Sequence, residues 1–239
     1  MTHQVGRRVA AEFLGTGLLV ATVVGSGIMG TLLTDDLAIT LLINAVATVA
    51  ALGVLILVLG PISGAHFNPV VTGVEVIRRE MPIGEACLYL VAQVGGALAG
   101  VALANVMSDL PAWQVSQHAR TGFPVWLGEI VATAGLLLVI GALTRTGRGA
   151  LGPVAVPAWI GAAYFFTSST SFANPAVTIG RSLTDTFSGI APASVPAFIG
   201  FQVVGAVVGA LIIEYLYPRH GAAEPLDLPG PVHSGPSQP

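Results

Sequence analysis

The stretch Asn68-Pro69-Val70-Val71-Thr72 returns as Asn174-Pro175-Ala176-Val177-Thr178, sharing four of five residues, in a chain that is otherwise strongly apolar. This pair limits the fold more than any other feature. Asn is a favoured N-cap, because its side-chain oxygen accepts from the exposed N–H groups of a first turn. Pro is favoured at the first helical position, where a missing N–H costs nothing. Each stretch therefore starts a helix, and each follows a loop of small residues with a Phe close by, Ser63 to Phe67 and Thr167 to Ala173. Neither helix can be long. The first is expected from Asn68 to about Val76, where Arg78, Arg79 and Glu80 reach water, and the second from Asn174 to about Leu183. At a rise of 1.5 Å per residue, such segments fall far short of the ~30 Å of a bilayer core.

Six longer apolar runs surround them, near 9–30, 37–59, 84–106, 124–143, 152–166 and 193–217. The chain has 239 residues, of which 54% are hydrophobic and 9% charged, whereas a soluble domain carries about 25% charged residues. The expectation is an all-α membrane protein with six transmembrane helices and two re-entrant half-helices. Residues 1–8 form a cytoplasmic N-terminus with no small-residue cleavage site, so the first apolar run is read as a retained span. Residues 9–217 form the membrane-spanning domain, and the Pro- and Gly-rich segment 218–239 reads as a disordered cytoplasmic tail.

Six spans place both termini on one side. In that topology Arg7, Arg8, Arg78, Arg79, Arg145, Arg148 and Arg219 share the side of the termini, against Arg120 and Arg181 on the other. This bias makes both termini cytoplasmic. The order span, span, half-helix, span occurs twice, over about 9–106 and 124–217. Three spans per half is an odd number, so the second half is inverted relative to the first. Inverted repeats with broken helices place a site at mid-membrane. Gly96 with Gly100, and Gly205 with Gly209, have the four-residue spacing that lets helix backbones approach closely.

Glu12 and Glu129 occupy matching positions in spans 1 and 4, and Gln93 and Gln202 match in spans 3 and 6. A carboxylate inside a span is costly and marks a function. One reading makes these acids proton carriers. The favoured one makes them acceptors for backbone N–H groups that the re-entrant loops leave unpaired at membrane depth, with the glutamines assisting. The single cysteine, Cys87, rules out an internal disulfide. No basic tract points to nucleic acid, and no nucleophile–base set or metal-ligand cluster points to an enzyme, a metal or a cofactor.

The run Ser63-Gly64-Ala65-His66-Phe67-Asn68-Pro69-Val70-Val71-Thr72, with Asn174-Pro175-Ala176, the paired Glu and Gln residues and the six-plus-two helix order, resembles the major intrinsic protein family, the aquaporins and aquaglyceroporins. The likeness extends from about Val9 to Tyr217. It implies a homotetramer in the bacterial plasma (inner) membrane, one pore per subunit, passive transport of small neutral solutes and no cofactor. Asn68 and Asn174 would mark the pore centre. Each half-helix N-terminus carries roughly half a positive charge, which disfavours cations there. The two Asn amides would orient a central water so that a proton wire breaks.

The chain departs from that pattern at Val177, where most of the family has an Arg, and in an Asn-Pro-Val first triplet. Spacing from the two Asn residues assigns the other filter positions to Thr48, Ala162 and Ser171. Such a set predicts a wider filter with less fixed positive charge, suited to glycerol-like polyols and trivalent arsenous acid as well as water. It is similar to a bacterial subgroup associated with arsenic resistance. Arg181 lies one helical turn after Val177. It reads either as a relocated vestibule charge or, preferentially, as a helix C-terminal cation facing outer carbonyls or headgroups. His66 is a possible pH gate, or a side chain that hydrogen-bonds its own loop. The rival functions are a proton-coupled transporter using Glu12 or Glu129, a water-selective channel, and an ion leak.

Overall fold

In the computed structural model, which describes residues 2–218, every regular element is helical. The order is α1 (Thr2–Leu33), α2 (Leu37–Ser63), α3 (Pro69–Ile77), α4 (Ile83–Met107), α5 (Phe123–Arg145), α6 (Gly152–Phe166), α7 (Pro175–Arg181) and α8 (Val195–Leu216). Short 3₁₀ turns, Gly149–Leu151 and Pro192–Ser194, lead into α6 and α8. Six of these segments are long and apolar enough to cross a membrane. The tail expected to be disordered lies outside the described residues, apart from Pro218.

The two remaining helices, α3 and α7, have 9 and 7 residues. Both start at the Asn-Pro pairs, and the cap chemistry is explicit. Asn68 Oδ1 accepts from Val70 N at 3.1 Å. Asn174 Oδ1 accepts from Ala176 N at 3.0 Å and Val177 N at 3.3 Å.

Two boundaries differ from the sequence reading. α1 begins at Thr2, not near Val9. Its first turns are tied to α4, where Arg8 Nη1 meets Glu85 Oε1 at 2.6 Å and Arg8 Nε donates to Tyr89 Oη at 3.0 Å. α2 runs through Pro61 to Ser63, beyond the apolar run expected to end near 59. Proline deletes one backbone hydrogen bond. The following turn is secured instead by Gly64, whose φ of 87° closes the helix while its N–H donates to Gly60 O at 2.9 Å. The Tyr89 hydroxyl also donates to Ser63 O at 2.9 Å.

The repeats pack as matched sets. α1 lies against α4 and α2, and α5 against α8 and α6. The small residues permit this. A Cβ on Gly96 would lie 2.3 Å from Phe13 O and one on Gly100 2.2 Å from Gly17 O, so the α1 and α4 backbones touch. Gly205 and Gly209 bring α8 equally close to α5, where added Cβ atoms would lie 2.6 Å from Ile130 O and Ala134 O. The halves then interlock, because α7 packs chiefly on α4 of the first repeat and α3 also contacts α8 of the second.

Candidate functional site: the cavity between the re-entrant loops

The buried carboxylates lie directly behind the loops. Glu12 Oε1 accepts from Ser63 Oγ at 2.6 Å and His66 N at 3.0 Å; its Oε2 accepts from Phe67 N at 2.7 Å and Gln93 Nε2 at 2.8 Å. Glu129 repeats the pattern. It accepts from Phe172 N and Ala173 N, both at 2.9 Å, and from Gln202 Nε2 at 2.6 Å. Each carboxylate thus takes two backbone N–H groups that no helix or sheet could pair at this depth. All four donors around Glu12 point at the acid, so its oxygens act only as acceptors.

Thr72 and Thr178, the last residues of the repeated stretches, complete the support. Gln93 Nε2 also donates to Thr72 Oγ1 at 3.0 Å, and Gln202 Nε2 to Thr178 Oγ1 at 2.9 Å. Neither Thr was assigned a role from sequence, although its presence in both stretches was a usable signal. The residue before each Asn, Phe67 and Ala173, is left-handed, with φ of 48° in both cases. These turns swing the two Asn residues towards each other. Asn68 Nδ2 donates to Ala173 O and Asn174 Nδ2 to Phe67 O, each at 2.7 Å. The capping bonds fix which end of each amide is oxygen. One N–H of each Nδ2 makes the cross-loop bond, and the second remains for a guest.

A cavity of about 330 Å³ extends past both Asn side chains. Leu19, Val23, Leu52, Leu136 and Ile160 line its apolar wall. Three of the four sequence-assigned filter residues, Thr48, Ser171 and Val177, also line it. Ala162 does not; it is exposed on α6. The residue of this helix that lines the cavity nearest that position is Tyr164, two positions on, in a row with Gly152, Val156 and Ile160. Two residues turn an α-helix by about 200°, so a small error in loop length selects the opposite face. The Tyr164 hydroxyl donates to Thr48 Oγ1 at 3.2 Å, linking α6 to its packing neighbour α2 at the cavity wall. The ring around Val177 therefore contains an aromatic side chain and two hydroxyl residues. Ser171 Oγ is buried without a protein partner.

Arg181 is 3% exposed and lines this same cavity. A headgroup-facing position does not describe it; a carbonyl-facing one does, because its Nε donates to Ser188 O. His66 lines the cavity on the first-repeat side and a second polar recess with Arg8 and Glu75. Its Nδ1 lies 3.0 Å from Thr72 Oγ1, and its ring packs edge-on against Tyr89 at 5.4 Å. Glu12, Glu129, Gln93 and Gln202 stand outside the cavity wall. No group of three or more His, Cys, Asp or Glu side chains among the described residues could hold a metal ion.

Two loops that meet through capped Asn residues, each hung from a buried Glu, are the structural form of the motif seen in sequence. The family profile described as "Major intrinsic protein" matches residues 1–172. The chain belongs to the major intrinsic protein family. It is a membrane-spanning channel of the aquaporin and aquaglyceroporin type, not an enzyme. It is 50% identical over 210 residues to Aquaglyceroporin AqpS of Rhizobium meliloti (strain 1021), covering 88% of this chain and 90% of that protein. It is 32% identical over 233 residues to Aquaporin-2 of Rattus norvegicus, covering 88% and 78%. The aquaglyceroporin of Plasmodium falciparum shares the fold, with a TM-score of 0.64 at 22% identity over 90% of this chain and 96% of that one.

Proposed function

We propose that this channel passes small uncharged polyhydroxyl solutes, with glycerol-like polyols and trivalent arsenous acid as its preferred class, and that water accompanies them. The observation that carries this reading is the composition of the ring at Val177. Tyr164 and Val177 offer apolar surface, while Thr48 and Ser171 offer hydroxyls to the same cavity. A polyol has the same division, with carbon on one side and hydroxyls on the other. Burying apolar surface favours the carbon face by about 25 cal/mol per Å², and the unpartnered Ser171 Oγ gains a partner when a hydroxyl passes. Tyr164 in place of Ala162 makes the ring narrower than the sequence predicted, so the extra room comes from Val177.

Transport is passive in this reading. Glu12 and Glu129 are committed to loop backbone and lie outside the cavity wall, which disfavours proton coupling through them. The functional unit is a homotetramer in the bacterial inner membrane with both termini cytoplasmic.

Proteoliposome swelling with water, glycerol and arsenous acid, in the native chain and in Val177→Arg, tests the proposal. Val177→Arg should reduce glycerol and arsenous acid flux several-fold while sparing water. Equal losses for the three solutes would overturn the filter assignment. Glycerol uptake should also be linear in its gradient and unchanged by a protonophore; uptake that stalls without a proton gradient would overturn the passive reading.

A further inference from the structure

One cation in the cavity wall has no part in the ring just described. Arg181 is the last residue of α7, four positions after Val177. Its guanidinium carbon lies 3.4 Å from the centre of the Phe172 ring. Its Nε is held by the carbonyl of Ser188, and the Ser188 hydroxyl is anchored to Val23 O on α1 at 2.9 Å. The group is therefore fixed in direction from two sides. Arg120 also lies near Phe172, at 5.2 Å, but it is spent elsewhere: its Nε and Nη2 donate to Gly189 O at 2.8 Å and Phe187 O at 3.3 Å. It does not line the cavity.

Arg181 differs on both counts. It lines the cavity, and among the described residues its terminal nitrogens have no protein acceptor and no carboxylate pairs with it. The acidic lining residue, Glu75, belongs to α3 in the other repeat. Phe172 and Ser171 are adjacent in the chain, so the guanidinium stacked on Phe172 stands next to the proposed hydroxyl ring.

We propose that Arg181 is the charge-selective arm of this channel. Clamped by Phe172 and Ser188, it repels cations at the cavity wall one helical turn beyond Val177. The inference rests on the channel reading above and names the residue that gives it charge selectivity. Val177 leaves the ring open, and Arg181 keeps the open ring from conducting cations.

The test measures two fluxes in the same vesicles, glycerol by light scattering and potassium by an entrapped indicator. Arg181→Met should keep glycerol flux within about twofold and raise potassium leak about tenfold, the scale on which a unit charge acts on an ion several ångströms away in a partly solvated pore. Arg181→Lys should leak no more than the native chain. The double variant Val177→Arg/Arg181→Met should recover exclusion. If Arg181→Met does not reach the membrane, Arg181→Gln keeps a donor for Ser188 and should show the same leak. Normal glycerol flux with unchanged potassium leak in the neutral variant overturns the role of Arg181. Absent glycerol flux in the native chain overturns the solute reading instead, and the potassium comparison still decides the role of Arg181.

Discussion

Beside the first loop lie His66, Tyr89 and Arg8; beside the second lie Phe172, Arg181 and Tyr164. Yet both loops hang from the same carboxylate, amide and threonine. Glu12, Gln93 and Thr72 hold the first as Glu129, Gln202 and Thr178 hold the second. The shared residues are those that satisfy backbone at membrane depth, where each unpaired N–H costs about 1–3 kcal/mol. The residues that differ are those that meet the contents of the cavity. Support has been kept in duplicate, and the lining has diverged. The first side carries an imidazole and a nearby acid, Glu75; the second carries aromatic surface and a guanidinium.

The largest effect should come from the carboxylates. Glu12→Ala and Glu129→Ala each strip two buried N–H groups of their acceptor, a loss of about 2–6 kcal/mol per variant. Melting temperature in detergent should fall by a similar amount for both, with glycerol flux lost in both. A near-native Tm for one of them would break the equivalence of the two supports.

Next come the Asn residues. Asn68→Ala and Asn174→Ala each remove a cap, at about 1 kcal/mol, and one cross-loop bond. Both bonds close the same gap between loops, so a double-mutant cycle on unfolding should show coupling of about 0.5 kcal/mol or more. Strict additivity would mean that the loops are held independently.

The smallest effect should separate the threonines. Thr72→Val and Thr178→Val should each cost about 1 kcal/mol, with Thr72 the more costly. Thr72 Oγ1 also meets His66 Nδ1, which would lose its partner. Thr178 Oγ1 donates at 2.8 Å to Asn174 O, a carbonyl that keeps the Thr178 N–H at 2.9 Å after substitution. The reverse order would show that His66 gains nothing from its loop.

The sequence made the half-helices, the spans and the Glu pairing legible because each rests on a local signal: an Asn-Pro cap, an apolar length, or a charge where charge is costly. It failed where the answer depended on rotation about a helix axis. Ala162 and Tyr164 are two residues apart and point to opposite sides of α6, and no charge or cap marks the correct one. Pro61 misled for a related reason. A proline reads as a stop, yet Gly64, three residues later, sets the actual end. Arg181 was ambiguous because a helix C-terminal cation and a cavity cation have the same sequence signature; only the Phe172 ring and the Ser188 carbonyl separate them.

The crossed amide bonds have a consequence for how the protein is made. Asn68 finds its partner 105 residues downstream, and Phe67 waits for a donor 107 residues downstream. At synthesis rates of roughly 5–20 residues per second, that interval is roughly 5–20 s. Until then the first loop has its cap and its carboxylate but not its counterpart. The cavity is lined from both repeats, so a nascent chain cannot close it before Asn174 has been made.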